Sequence, residues 1–312
     1  MVAITKASIM KELIYKSFQY VPSSSVQENL NILDNFLQAN AQELVARTED
    51  EKDAVQEFER AFVTRFVHNS ASIEGTTLTE IETELVLEGE FVPSDDKQVS
   101  DMFAVKGCAE SYEYMLSLVE KTQDGCGAIA VDTSSTEQSK FSNDSSHALS
   151  HIPSENFIKD VHLRCVLDCQ PRCRGVYRNI PVVIRGSKIV PANVARVREL
   201  MQDLIFDAEN SQQHPIVKAC AFHTMFENIH PFRDGNGRVG RAMLNYMLLV
   251  CGYRPVAIKN NDRAKYLSTL QSWQVDFEPE PFIYMVVESV LDETHELLDA
   301  LQETRVFANG DK

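Results

Sequence analysis

A chain of 312 residues with 46 acidic and 30 basic side chains carries a formal charge of −16 and repels polyanions, so neither nucleic acid nor an anionic membrane surface is an expected partner. A hydrophobic content of 44% is enough for a sizeable core, and the length fits about two domains or one helical core with an N-terminal extension. Residues 1–20 lack the apolar run of roughly 7–15 residues that marks a signal peptide, and no stretch is long enough to span a bilayer; a cytoplasmic protein with no membrane partner is expected.

Residues 1–50 carry short amphipathic segments, among them Leu30, Leu33, Phe36 and Leu37, and read as a helical extension without a tetratricopeptide repeat. Val55, Phe58, Phe62 and Phe66 then mark one face of a helix that runs from Glu51 toward Ser70-Ala71-Ser72-Ile73-Glu74-Gly75, where Gly75 suits a helix-ending position. Read by itself, Glu74 is a solvated helix-end glutamate. Thr79 and Glu82 form a capping box for the next helix, and Val105, Cys108, Tyr112, Met115 and Val119 give a further stripe, so residues 51–120 hold the first core helices.

The composition shifts over 121–155, where eight serines fall between Val131 and Glu155; this segment reads as a flexible serine-rich insertion. A helix resumes from Phe157 to Leu167. The seven cysteines have no framework spacing and are expected as reduced thiols; Cys165, Cys169 and Cys173 after His162 match zinc spacing poorly. Ile180, Val182, Val183 and Ile184, a turn at Arg185-Gly186-Ser187-Lys188, then Ile189 and Val190 predict a small β-hairpin.

Within 156–300, Ala219, Phe222, Phe226 and Ile229 form a helical stripe that stops at His230-Pro231. His223, beside the core-facing Phe222, reads as a satisfied helix histidine. Val239, Ala242, Met243, Tyr246, Met247 and Val250 form the next stripe, so Gly235-Asn236-Gly237 sits at a helix N-terminus. There the unpaired N–H groups and the dipole attract anions, and glycine admits a close oxygen. His230 can take a proton, Asp234 can hold a divalent cation, and Arg238 and Arg241 add forked positive charge, which together suit a phosphate site. Phe282–Leu301 predicts a closing helix, with 301–312 left as a C-terminal tail.

His230 to Arg241 matches, position for position, the motif His-x-Phe-x-(Asp/Glu)-Gly-Asn-Gly-Arg-x-x-Arg of the Fic family, and Ser70, Glu74 and Gly75 resemble the (Ser/Thr)-x-x-x-Glu-(Gly/Asn) motif of the subclass restrained by an N-terminal inhibitory helix. The resemblance implies a mainly α Fic fold, a helical bundle with a small β-hairpin flap. It implies Mg²⁺- or Mn²⁺-dependent transfer of AMP from ATP to a Ser, Thr or Tyr hydroxyl of a target protein. His230 is then the general base, Asp234 the metal ligand, and Gly235, Asn236, Gly237, Arg238 and Arg241 the phosphate contacts. Tyr253 and Tyr266 are candidates to flank adenine, and Val182, Val183, Ile184 and Arg185 to dock an extended target segment. Glu74 pairs with Arg241 and, once released, could direct water for removal of AMP. The resemblance further suggests an Hsp70-type chaperone target, self-modification and a homodimer. Two alternatives stay open: transfer of another nucleotide or of phosphocholine, and a non-enzymatic ATP-binding module. Gly237 argues against a phosphotransfer branch that has lysine there.

Overall fold

A computed structural model describes residues 6–123, 151–168, 171–184 and 189–310. Its α-helices are α1 (Lys6–Phe18), α2 (Ser24–Asn40), α3 (Glu49–Ile73), α4 (Glu80–Glu88), α5 (Asp96–Gln123), α6 (Glu155–Cys165), α7 (Val197–Asn210), α8 (Pro215–Ile229), α9 (Asn236–Leu249), α10 (Arg263–Gln271) and α11 (Glu280–Gly310). The centre is α8, apolar on nearly every side; Ile216, Val217, Phe222, Met225 and Phe226 are all fully buried. A helix with no polar face must be enclosed, and α1, α7, α9 and α11 enclose it. Among the described residues no helix is long and apolar enough to cross a membrane.

Helix α3 starts where its capping chemistry dictates: Thr48 Oγ1 accepts a hydrogen bond from Glu51 N, and Glu49, Asp50 and Glu51 load the positive end of the dipole. Phe62 and Phe66 then bury against Tyr112 of α5, with ring centroids 6.2 and 4.6 Å away. This packing lays the C-terminal end of α3 beside α9. The capping box of α4 forms as its sequence predicts, Thr79 and Glu82 exchanging hydrogen bonds of 3.2 and 2.8 Å.

The N-terminal helices join the main core instead of standing apart. Ile14, Phe18, Val26, Leu30 and Leu33 belong to the same apolar cluster as α8 and α9. Tyr253 holds α2 in place, its hydroxyl donating to Asp34 at 2.8 Å, and His214 reaches the other Asp34 oxygen at 3.1 Å. Residues 124–150, the body of the serine-rich insertion, lie outside the described residues.

Two expectations change. No strand forms among the described residues: 181–184 and 189–190 carry no regular secondary structure, and 185–188 lie outside the described residues. Pro181 and Pro191 remove backbone donors, and a lone two-stranded hairpin is marginal in water. At the other end, 301–310 is no tail. Helix α11 continues to Gly310 because Leu301 buries against Val55 and Leu297, and Arg305 bridges Glu43 at 2.6 Å and Glu51 at 3.2 Å.

Glu51 is only 5% exposed, and the hydrogen bond from Arg305 holds its pKa below the usual carboxylate range against the cost of burial. Arg305→Met should therefore destabilise the protein by roughly 1 kcal/mol at neutral pH. A depressed folded-state pKa contributes stability above the unfolded value and loses it as pH falls through the folded one. Urea melts should accordingly show the difference from wild type shrinking on acidification.

Candidate active site

The end of α8 sets the site. His230 takes a left-handed conformation (φ 53°, ψ 62°) as the C-cap, its N–H bonded to Phe226 O at 2.9 Å. That conformation is uncommon without glycine, and Arg178 braces it. The Arg178 guanidinium donates to His230 O at 2.7 Å, to Ile180 O at 3.3 Å and to Ala192 O, while its backbone N–H donates to Pro231 O at 2.9 Å. One buried arginine thus ties the His230 turn to both ends of the 180–192 segment.

The loop after His230 closes on itself. Asn236 accepts from Phe232 N at 2.8 Å and donates to Phe232 O at 3.0 Å, so its side chain clips the turn instead of facing the cavity. Phe232 stacks on His162, centroids 3.7 Å apart. Gly175 N–H donates to His162 Nδ1 at 2.8 Å, which leaves the Nε2 proton to bond Asp234 O at 3.0 Å. Burial pushes His162 down to about 4, so it stays neutral in that tautomer. Among the described residues no cluster of three metal-ligating side chains forms, and Cys169 lies outside them.

His230, Asp234, Gly237 and Arg241 share one cavity of about 880 Å³ with Glu74. The Arg241 guanidinium is buried and fully engaged by α3: Nε donates to Ser70 Oγ at 2.9 Å, and Nη2 donates to Ser70 O at 2.7 Å and to Glu74 Oε1 at 2.8 Å. Gly75, at φ 105°, turns the chain away just beyond. A Cβ on Gly237 would overlap Glu74 Oε1, so the carboxylate lies against the first turn of α9, at its anion-attracting end. Burial disfavours the Glu74 charge, but the attraction and hydrogen bond of Arg241 outweigh it and hold its pKa below the ordinary range.

Asp234 faces the cavity with its side chain 67% exposed, Oδ1 accepting from Gly235 N at 2.6 Å. His230 is mostly buried, and burial lowers its pKa against the opposing pull of the Glu227 carbonyl and the Glu74 charge; the ring is neutral at physiological pH. Burial acts in the other direction on Glu227, raising it to about 8, with the Glu74 charge adding and Arg241 opposing.

Several predicted residues sit elsewhere. Arg238 is not on the cavity wall; it makes a two-pronged pair with Asp168 at 3.0 and 3.2 Å and braces α9 against the end of α6. Tyr253 is likewise off the cavity, committed to Asp34. Tyr266 does line it, but its hydroxyl is paired with His223 Nε2 at 2.8 Å; His223 is buried in the helix as its sequence context suggests, though its Nδ1 makes no hydrogen bond of good geometry. Leu267, Gln271 and Gln274 complete the wall on that side, and Val183 and Ile184 reach it from the opposite segment; Val182 does not. Asp168, His162, Arg178 and Arg263 escape sequence reading as site residues because each acts through a partner distant in the chain.

This arrangement is a helical protein that presents a histidine, a carboxylate and a buried arginine around an anion-attracting helix terminus. Residues 152–248 match the Fic/DOC family. The chain is 40% identical over 115 residues to a probable protein adenylyltransferase from Aquifex aeolicus, covering 36% of this chain and 33% of that protein. It is 27% identical over 249 residues to protein adenylyltransferase Fic from Nematostella vectensis, covering 78% and 50%. The chain thus spans between a third and a half of these relatives' length. A Fic-domain-containing signalling protein from Bacteroides thetaiotaomicron superposes with a TM-score of 0.68 at 21% identity, over 88% of this chain and 98% of the other. A fragment of Fic-1 from C. elegans gives 0.63 at 18% identity, over 98% and 74%. At such identities the likeness concerns the fold.

Gly235 carries the loop through φ 75°, and a Cβ there would overlap Val166 Cγ1. Gly235→Ala should cost roughly 2–4 kcal/mol from backbone strain and overpacking combined. Chemical denaturation of the purified variant measures this.

Proposed function

We propose that this chain transfers AMP from ATP to a Ser, Thr or Tyr hydroxyl of a protein, under restraint by Glu74. The observation that carries the reading is the engagement of Arg241 by Ser70 and Glu74 in the cavity that also holds His230 and Asp234. The names of the relatives support the class of reaction.

In this reading the hydroxyl oxygen attacks the α-phosphorus, its proton passes to His230 Nε2, and the bond to the β-phosphate breaks to release pyrophosphate. Neutral His230 is ready to accept that proton. The N-terminal N–H groups of α9 and the Arg241 guanidinium hold the phosphate charge in place. Asp234 offers a hard carboxylate oxygen at the cavity wall, the donor type Mg²⁺ or Mn²⁺ takes alongside substrate phosphates. Such an ion, when bound, supplies charge neutralisation between the phosphates.

Glu74 opposes this arrangement twice. It occupies the cation a terminal phosphate needs, and at about 4 Å two like charges near a protein surface repel by roughly 4 kcal/mol. ATP that enters beside Glu74 is therefore displaced from in-line geometry. With Arg241 released, the same carboxylate can orient water onto a phosphodiester, so removal of AMP is the reverse task proposed for the site. The target lies along Val182 to Ile184 as an added strand held by main-chain hydrogen bonds; Val183, 85% exposed, supports an open edge there. Arg185, assigned to the same edge from sequence, lies outside the described residues. The first targets to examine are the chain itself and an Hsp70-type chaperone.

The test compares wild type, Glu74→Gly and Glu74→Gly with His230→Ala, using ATP labelled at the α-phosphate. Glu74→Gly should label itself and lysate proteins at least about tenfold above wild type, a modest response to losing more than 1.4 kcal/mol of restraint, and His230→Ala should abolish it. Bound ATP without label in Glu74→Gly would favour the non-enzymatic module; preferential labelling from UTP, GTP or a phosphocholine donor would change the donor.

A further inference from the structure

We infer that Glu227 is a positioning residue for His230: its carboxyl backs the Nδ1 side of the imidazole so that Nε2 faces the attacking hydroxyl. The inference rests on the reading of His230 as the base.

The two side chains are three residues apart at the end of α8, where such a spacing puts them on one face. Glu227 Oε2 lies 3.9 Å from His230 Nδ1, and the side chains are 12% and 18% exposed. Neither His230 Nδ1 nor Glu227 Oε1 makes a hydrogen bond of good geometry. Glu227 meets the imidazole through both its backbone carbonyl and its carboxyl, the latter on the Nδ1 side. Unpartnered buried polar atoms side by side cost free energy, and a displacement of about 1 Å brings Oε2 within the usual hydrogen-bond distance of Nδ1. A ring held in this way carries its proton on Nδ1, and a carboxylate behind it steadies the imidazolium that forms once Nε2 has taken the hydroxyl proton.

Gly240 gives a second, independent observation. It occupies one of the variable positions between Arg238 and Arg241, yet a Cβ there would overlap Glu227 Oε1 and would come within 3.1 Å of His223. Gly240 of α9 thus leaves a space that Glu227 Oε1 fills, and Glu227 also lines the cavity.

The charged and titratable groups around Glu227 tie it to the restraint. Glu74 on α3 repels its ionised form, Arg241 on α9 favours it, and His230 flanks it on α8; His223 and Tyr266 of α10 are nearby but paired with each other. Around His230 stand Glu227, Glu74, Arg178 and Asp234. While Glu74 sits on Arg241, Glu227 stays protonated. Burial is the main cause that keeps Glu227 protonated, and release of Glu74 removes the repulsion that adds to it, which favours the ionised carboxylate beside the base. Glu74 thereby restrains both the phosphate site and the orientation of the base.

The experiment places Glu227→Gln and Glu227→Leu in the Glu74→Gly background; both keep the residue's carbonyl. Two quantities are read: the rate of self-labelling against its half-saturating ATP concentration, and the His230 tautomer by ¹⁵N NMR without nucleotide. The expected result is a rate lowered about tenfold for Gln and about a hundredfold for Leu, within the range of general-base contributions. Half-saturation should stay within about twofold of the parent, and the Leu variant should lose its preference for the Nδ1–H tautomer. An unchanged rate, a loss confined to half-saturation, or an unchanged tautomer ratio in the Leu variant overturns the inference. Should Glu74→Gly itself transfer nothing, the functional reading fails separately, and the tautomer ratio alone decides whether Glu227 orients the ring.

Discussion

A guanidinium buried to 2% exposure cannot be left without an anion, and this constraint governs the site. Removing one partner from a buried ion pair typically costs about 3–5 kcal/mol. Arg241 is held by Ser70 and Glu74, so Glu74 leaves at low cost only when another anion arrives. A phosphate is the natural replacement, because the same position offers the N–H groups of the first turn of α9. Under the proposed function, restraint and substrate binding therefore compete for one cation.

The geometry also limits how that exchange can occur. Arg263 donates to Ile73 O at 2.8 Å, Lys97 to Gly75 O at 3.4 Å, and Asp101 accepts from Thr77 N at 2.8 Å. One turn earlier, Asn69 accepts from Asn260 N at 2.8 Å. The backbone on both sides of Glu74 is thus fastened to α5 and to the start of α10, with α3 itself packed by Phe62 and Phe66. Rotation of the Glu74 side chain frees Arg241 from the carboxylate, with its bonds to Ser70 kept, without disturbing any of these contacts. Unwinding the end of α3 would break several at once, so the exchange belongs to side-chain rotation.

What could be read from sequence follows from how local each signal is. His230 to Arg241 was legible because a helix end, a turn and a helix start are encoded within twelve consecutive residues. The pairing of Ser70 and Glu74 with Arg241 spans about 170 positions and came only from resemblance, since periodicity alone leaves Glu74 in solvent. Asn236 and Arg238 show the limit of assigning roles by residue type: the amide closes its own loop, and the guanidinium is taken by Asp168, which no local pattern connects to it. Tyr253 was misplaced for a similar reason, because its partner Asp34 belongs to a helix that sequence set apart as an extension. Residues 301–310 looked like a tail because the feature holding them, Arg305 against Glu43 and Glu51, is invisible to a hydrophobic period.

The overall charge gives the local arrangement its meaning. A protein of net charge −16 repels ATP at long range, although salt confines that repulsion to roughly 8 Å at physiological ionic strength. Inside the cavity, Arg233, Arg241 and Arg263 face Glu74, Asp234 and, when ionised, Glu227. With Glu74 engaged and Glu227 neutral, little positive charge remains for a polyphosphate. Displacing Glu74 restores Arg241, and a divalent cation on Asp234 would reverse the sign of that position. A ligand that brings both an anion for Arg241 and a metal for Asp234 complements both positions at once, which under the proposed function makes a metal-bound nucleoside polyphosphate better matched to this site than free phosphate or an acidic peptide.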